Sequence, residues 1–326
     1  MSNHGLRWGI IGAGKIARTF TKDLHNFTSH RVVAVGSRSL AKAQEFASPW
    51  GALPLGSYEE LVASDLDAVY VATPHQLHSS NSIQALHAGK PVLCEKPFAV
   101  NRHQAQAMVD VARARKLLLM EAMWSRYLPH YRTIRELIGN GELGEVFQVI
   151  GDHGQPLPAD PYYRLHAPEL AGGALLDLGI YPLSLAFMVL GQPDSIKALG
   201  SKTESGVDAT TSAVLHFPSG AQASITTTLK AKTHCTATII GTKARIEIDG
   251  DFYTPTSMRL IRSGADPVLF ANNYQGHGIR EQALYFEELL NRGDLESDLL
   301  PLDESLAIMT AMDEIRSQIG VKYPFE

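Results

Sequence analysis

Apolar residues in the first third of the chain follow two alternating rhythms. Unbroken apolar runs occur at Trp8-Gly9-Ile10-Ile11, Val32-Val33-Ala34-Val35, Ala68-Val69-Tyr70-Val71-Ala72, Val92-Leu93-Cys94 and Leu117-Leu118-Leu119-Met120. Between them apolar residues recur at helical spacing: Ile16, Ala17, Phe20 and Leu24, then Ala43, Phe46 and Ala47, then Leu77 to Ala88, then a stretch capped by Asn101 that ends near Ala114. Short runs without polar alternation predict strands buried on both faces, and a helix between each pair predicts a parallel sheet. Right-handed crossovers wind such a sheet in both directions and cover both of its faces.

Beyond Met123 the rhythm changes. Leu128 to Ile138 has helical spacing, Val146 to Val149 begins a strand, and Asp160 to Gly173 is a long irregular stretch holding Tyr162, Tyr163, Arg164 and His166. An apolar helix follows to Leu190. Pro182 lacks an N–H and belongs in a first turn, which sets the helix start near Leu178 or Gly179 with Asp177 beside the cap. Strands are then predicted at Ala209–Phe217, Ala221–Leu229, Cys235–Gly241 and Ala244–Ile248, with Pro218-Ser219-Gly220 as a hairpin turn. Short turns between consecutive strands imply antiparallel pairing. Helices from about Gly278 to Asn291 and Ser305 to Ile319 carry core-facing stripes. The expected division is residues 1–123, α/β with a doubly wound parallel sheet, and residues 124–326, α+β with an open, mostly antiparallel sheet. Thr, Ser and Ala on one face of the 209–228 strands are too small to form a core, so that face is expected to be covered by a second copy in a homodimer.

The first strand stops at Gly12-Ala13-Gly14-Lys15-Ile16-Ala17. Gly12 permits a tight turn, Gly14 lets a pyrophosphate approach the backbone, and Ala17 lets helix and strand pack closely. The free N–H groups of Gly14, Lys15 and Ile16 then face the phosphates, with the positive end of the helix behind them. In this strand–turn–helix context the glycines predict a Rossmann dinucleotide site. The second strand ends in Gly36-Ser37-Arg38, with no acidic residue to grip a ribose 2′-hydroxyl. Ser37 and Arg38 suit a 2′-phosphate instead, so NADP is expected in preference to NAD.

The bulk numbers narrow the classes. A chain of 326 residues with net charge −5 and no long basic run does not read as a nucleic-acid binder. No apolar run approaches about 18 residues, so no membrane span is expected. Cys94 and Cys235 lack zinc-type spacing and predict a reducing, cytoplasmic setting without a signal peptide. His75 and His78, at i and i+3, have no further ligands nearby, so no metal site is expected. At the end of the third run, Thr73, Pro74, His75 and His78 line the expected cofactor crevice.

The fourth run ends in Glu95-Lys96-Pro97. A lysine at a strand tip in this fold points into the crevice, where its ammonium can stabilise a developing alkoxide. Tyr181 lies in the first turn of an apolar helix, where the dipole and a nearby lysine favour its phenolate over the ordinary phenol of pKa about 10. Gly12-Ala13-Gly14-Lys15-Ile16-Ala17, Thr73-Pro74-His75 and Glu95-Lys96-Pro97 together resemble the Gfo/Idh/MocA oxidoreductases over essentially the whole chain. Many members of that family carry a histidine where this chain has Tyr181. Glu121 to Tyr127 and Leu175 to Leu183 are similar to its tyrosine-bearing branch of dihydrodiol and NADP-dependent xylose dehydrogenases. The resemblance implies a catalytic pair, Lys96 and Tyr181, with Asp177 beside it and Lys96 also touching the cofactor. It also implies dimerisation through the second sheet. Trp124, Arg126, Tyr162, Arg164 and His166 are expected to line a pocket for a sugar, polyol or dihydrodiol. The expected activity is NADP-linked hydride transfer. The alternatives are a non-catalytic NADP sensor and an enzyme that retains its nicotinamide for elimination or glycoside cleavage.

Overall fold

The computed structural model describes residues 5–158, 160 and 163–326. Tyr162 therefore lies outside the described residues. By contacts the chain divides into two compact units, one of Met1–Trp124 with Gln275–Leu306, the other of Ser125–Tyr274 with Ala307–Glu326.

The first unit begins with β1 (Arg7–Ile11), α1 (Lys15–Phe27), β2 (Arg31–Gly36) and α2 (Leu40–Ala47). It continues with β3 (Leu53–Leu55), α3 (Tyr58–Val62), β4 (Ala68–Val71) and α4 (His78–His87), then β5 (Val92–Glu95), α5 (Arg102–Arg115) and β6 (Leu119–Ala122). The strands pair in the order β3-β2-β1-β4-β5-β6, all parallel. Each expected apolar run is a strand of this sheet, and β4 and β5 are buried at every residue. The short edge strand β3 was not expected, because Leu53-Pro54-Leu55 is too brief for a periodic signal. The order reverses beside β1, which is where a doubly wound sheet opens its crevice at the carboxyl ends of the strands.

Three fully buried groups tie this unit together. The Trp8 ring meets Phe20 edge-on at 5.5 Å and Phe286 at 5.2 Å. Its Nε1–H donates to His30 Nδ1 at 2.9 Å, which leaves Nε2 of the neutral ring to donate to Glu287 at 3.2 Å. Asp23 on α1 accepts from the backbone N–H groups of His277, Gly278 and Arg280 and from the Arg280 guanidinium. It so caps the helix that Arg280 begins.

The second unit opens with α6 (Pro129–Gly139), β7 (Val146–Gly154), α7 (Ile180–Leu190), β8 (Ser195–Lys202), β9 (Asp208–His216) and β10 (Gln222–Thr228). β11 (Ala237–Gly241), β12 (Ala244–Ile248), β13 (Met258–Arg262) and β14 (Val268–Phe270) complete its sheet. Two helices close the chain: α8 (Arg280–Arg292), which belongs to the first unit, and α9 (Leu302–Ile319), most of which belongs to the second. The eight strands pair in the order β14-β13-β12-β11-β7-β10-β9-β8. All neighbours are antiparallel except β7 and β10. β8, β13 and β14 extend the expected sheet. One face carries α7: a Cβ on Gly151 of β7 would come within 2.9 Å of Pro182. The edge strand β8 is closed by Gln318, whose amide accepts from Ala198 N–H at 2.8 Å and donates to the Ile196 carbonyl at 2.9 Å. This blunts an edge that would otherwise template pairing.

By length and composition Pro168–Leu190 would cross a bilayer, contrary to expectation, but 78% of its most apolar window is buried inside the protein. It is a core segment. Replacing Trp8 with Phe should cost about 2–4 kcal/mol, from the cavity and the lost partner of His30. Urea unfolding of the two proteins would measure it, and a difference below about 0.5 kcal/mol would contradict the tie described here.

Candidate active site

At the carboxyl end of β1 the backbone turns through Gly12 at φ 106°. A Cβ there would lie 2.6 Å from the Ala72 carbonyl oxygen, so the position is closed to any side chain. A Cβ on Gly14 would meet nothing nearer than 4.0 Å, so the glycine faces open space. α1 then starts with no side-chain cap. Its first N–H groups, from Lys15, Ile16 and Ala17, are those that a helix leaves unpaired. The arrangement is a cradle for a diphosphate.

The neighbouring strand ends carry the other expected cofactor residues. Ser37 is buried and its Oγ accepts from Ser39 N–H at 3.2 Å, while Arg38 is exposed and hydrogen-bonds the Tyr58 hydroxyl. Thr73 follows β4, and its hydroxyl accepts from the Asn81 amide at 3.1 Å. Pro74 and the buried His75 start the short turn into α4. Glu95 ends β5, buried, with its carboxylate on the Tyr70 hydroxyl. Lys96 is half-buried, and the peptide bond to Pro97 is cis. Trp124 follows β6 and packs 4.9 Å from the His277 ring.

His78 does not line the crevice in the expected way. It is 1% exposed, and its nitrogens lie 2.8 Å from the Pro97 carbonyl and 2.9 Å from the Thr73 carbonyl. Its neutral ring donates to one of these carbonyls and packs against the other, so it stands as a strut between the loops after β4 and β5. Burial, then the charge of His75, push its imidazole down to about 3, against the pull of the two carbonyls. Among the described residues no group of three or more His, Cys, Asp or Glu is placed to hold a metal.

In the second unit Tyr181 sits in the first turn of α7, 6% exposed, as Pro182 required. The preceding residues Leu175–Gly179 form a widened, π-type turn. Such turns recur at functional sites. A proline cannot donate to the carbonyl four residues back, and Leu178's oxygen is taken instead by His153 Nδ1 at 3.2 Å. His153 Nε2 then accepts from the Gln155 amide at 2.9 Å, and the same amide nitrogen lies 2.8 Å from the Tyr253 hydroxyl. The Tyr253 ring packs 4.6 Å from Tyr181 and 4.2 Å from His153. Burial, then the charge of Asp251, push the Tyr253 phenol well above its ordinary range. His153, Gln155 and Tyr253 escaped the sequence reading. The uncovered Leu178 carbonyl implied by Pro182 was the one local hint.

Asp177 lies within the widened turn and pairs with Arg164 at 3.0 Å. It does not cap the helix as expected, because the first N–H, from Leu175, goes to Asp208 at 2.7 Å. Arg126 also differs from expectation. It is 1% exposed, and its guanidinium donates to the hydroxyl and carbonyl of Ser184 on α7, so it braces the helix. Tyr163 packs on a small core of Leu165, Ala174, Leu178 and Leu229. His166 is partly exposed and contacts the Pro158 carbonyl at 3.2 Å.

Residues 6–123 match the family model described as "Oxidoreductase family, NAD-binding Rossmann fold", and residues 131–247 match "GFO/IDH/MocA C-terminal domain". The chain is 39% identical to D-xylose 1-dehydrogenase (NADP(+)) of Hypocrea jecorina, over 98% of this chain and 93% of that protein. It is 36% identical to trans-1,2-dihydrobenzene-1,2-diol dehydrogenase of Bos taurus, over 98% of both. Among solved structures it matches an aldose–aldose oxidoreductase from Caulobacter crescentus complexed with glycerol (TM-score 0.87, 27% identity, 96% and 97% of the two chains). It also matches a 3-ketoreductase from Actinomadura kijaniata in complex with NADP (TM-score 0.85, 27% identity, 97% and 98%).

The His78 strut has a consequence in acid. Its folded-state pKa is depressed, so the unfolded chain binds the extra proton. Its contribution to stability is complete above about pH 6.5 and is lost as pH falls toward 3. Between pH 7 and 5 the parent should lose about 2 kcal/mol more than His78→Gln. Urea midpoints at the two pH values would measure this, and equal losses would refute it.

Proposed function

The chain belongs to the Gfo/Idh/MocA oxidoreductase family, and from that premise we propose that it is an NADP-dependent dehydrogenase moving a hydride between nicotinamide and a polyhydroxylated small molecule, either an aldose such as xylose or a trans-dihydrodiol. The observation that carries the reading is the uncapped N-terminus of α1 behind a glycine that tolerates no Cβ. It fits the diphosphate of a dinucleotide and leaves its donors without a role otherwise.

In this reading residues 1–123 form the NADP-binding domain and residues 124–326 hold substrate and the dimer interface, with residues 275–306 belonging to the same compact unit as 1–123. The backbone at Gly12, Gly14, Lys15 and Ile16 holds the diphosphate, and Ser37 and Arg38 hold the 2′-phosphate. Thr73, Pro74, His75, Glu95 and Lys96 border the cofactor, with His78 fixing their loops from behind. NADP supplies the hydride acceptor. Tyr181 takes the proton of the substrate hydroxyl as the hydride departs, and the Lys96 ammonium offsets the charge on that oxygen. Asp177, steered by Arg164, accepts a neighbouring hydroxyl. Trp124 and His166 offer an apolar face and a polar edge, as a sugar ring or a dihydrodiol requires.

NADPH formation by the purified protein, followed at 340 nm with pentoses, hexoses, cyclitols and trans-dihydrodiols, tests the reading. One substrate class should be clearly preferred, with NADP well ahead of NAD. Lys96→Met should lower kcat by roughly a hundredfold or more while NADP still binds. Tight NADP binding with no turnover across the panel would favour a sensor, and retained turnover in Lys96→Met would remove the lysine from the chemistry.

The face of the eight-stranded sheet opposite α7 exposes Leu199 at 82%, Val214 at 46% and Ile150 at 42% among Ser and Thr. We assign this face to a second copy of the chain, and the protein, with both cysteines free, to the cytoplasm. The parent should sediment as a dimer and Leu199→Glu/Val214→Lys as a monomer. A monomeric parent would overturn the assignment.

A further inference from the structure

Asp208 begins β9 with its carboxylate buried under the turn that leads to Tyr181. It is 0% exposed. Its Oδ2 accepts from the Leu175 N–H at 2.7 Å and from the Thr211 hydroxyl at 3.2 Å. Its Oδ1 is buried without a hydrogen-bond partner. That oxygen fills the place of a side chain on Gly173, where a Cβ would lie 2.1 Å from it and where the backbone has φ 115°. The adjoining Gly172 is held from the other end of the chain, by the Tyr323 hydroxyl donating to its carbonyl at 2.6 Å. The Thr227 hydroxyl donates to the Ala174 carbonyl at 3.4 Å.

A carboxylate beneath a helix start satisfies one of the donors that start leaves unpaired and favours its dipole. Here one oxygen takes both hydrogen bonds and the other, buried near the Ala174 and Asp208 N–H groups, makes none of its own, which costs free energy. A capping role alone needs neither a fully buried acid nor a bare oxygen. What this geometry adds is a fixed place for the Gly172–Leu175 backbone, two residues before Asp177 and six before Tyr181.

We propose that Asp208, with Tyr323, is a positioning residue for the reaction: it holds the entry to the widened turn and so sets where Asp177 and Tyr181 stand. The inference rests on the role given to Tyr181 above. The titratable group facing Asp208 is Tyr323, whose phenol is pushed up by burial and then by the charge of Asp208, with Arg316 and Glu326 beyond it. The other groups against it are the Leu175 N–H, the Thr211 hydroxyl and the backbone N–H groups of Ala174 and of Asp208 itself. Burial pushes the Asp208 carboxyl up to about 6. Above that pH the ionised form holds the Leu175 N–H by a charge-assisted bond, and below it the bond weakens.

The test uses Asp208→Asn, Asp208→Ala, Tyr323→Phe and, as reference, Tyr181→Phe. Each is assayed in oxidation of D-xylose or trans-1,2-dihydrobenzene-1,2-diol, whichever the parent turns over, with NADP affinity read separately by fluorescence. Asp208→Ala should lose on the order of tenfold in kcat with NADP affinity unchanged. The kcat of the parent should fall more steeply below about pH 6, and that extra fall should be absent in Asp208→Asn, which keeps the hydrogen bond without the charge. Tyr323→Phe should lower kcat in the same direction by a smaller factor. If Asp208→Asn keeps the parent's pH profile and kcat, the proposal is overturned, and that comparison stands even where Asp208→Ala does not fold. Full turnover in Tyr181→Phe would instead overturn the role of Tyr181 and the inference with it, a result that owes nothing to Asp208.

Discussion

Every helix begins with N–H groups that its own turns cannot pair, and this chain answers that constraint in two opposite ways. α1 starts at Gly14 with no side-chain cap and lies at the end of β1, open to an anion. The helical segment ahead of α7 starts under a buried carboxylate, with Asp208 taking the Leu175 N–H from inside the protein. The first start is exposed because glycines clear the space before it. The second is sealed because Gly173 yields the place of its side chain to Asp208. One helix N-terminus is thus kept for a ligand and the other for geometry.

The second start shows how one backbone irregularity propagates. Pro182 cannot donate in a regular helix, so the preceding turn widens and the Leu178 carbonyl turns to His153. That bond sets the tautomer of His153, whose other nitrogen then accepts from Gln155, and Gln155 reaches Tyr253. Tyr253 and His153 pack on Tyr181. The environment of Tyr181 is therefore written partly by a proline one residue along and partly by β7 and the segment after β12. A polar network of this kind specifies one arrangement, since each member is satisfied only if the others hold their places. The sheet beneath divides the labour: its inner face carries α7, and its outer face shows Leu199, Val214 and Ile150 to solvent.

The residues themselves determined whatever depends on neighbours within a turn or a strand. The buried apolar runs are β1, β2, β4, β5 and β6, because a parallel strand covered on both faces admits little else. The Gly12 turn and the place of Pro182 follow from local sterics, and the placement of Lys96 at a strand tip and of Tyr181 at a helix start was readable for the same reason. Short elements without a period, such as β3 and β14, were not readable. Nor were the long-range partners: Asp208 lies 33 residues from Leu175, His153 25 from Leu178, and Arg126 58 from Ser184. In each case the side-chain chemistry was visible while its direction was not. An aspartate, a histidine and an arginine are equally able to face a ligand or a backbone group. Only the packing of the tertiary structure, which withholds water and offers one partner, decides between them.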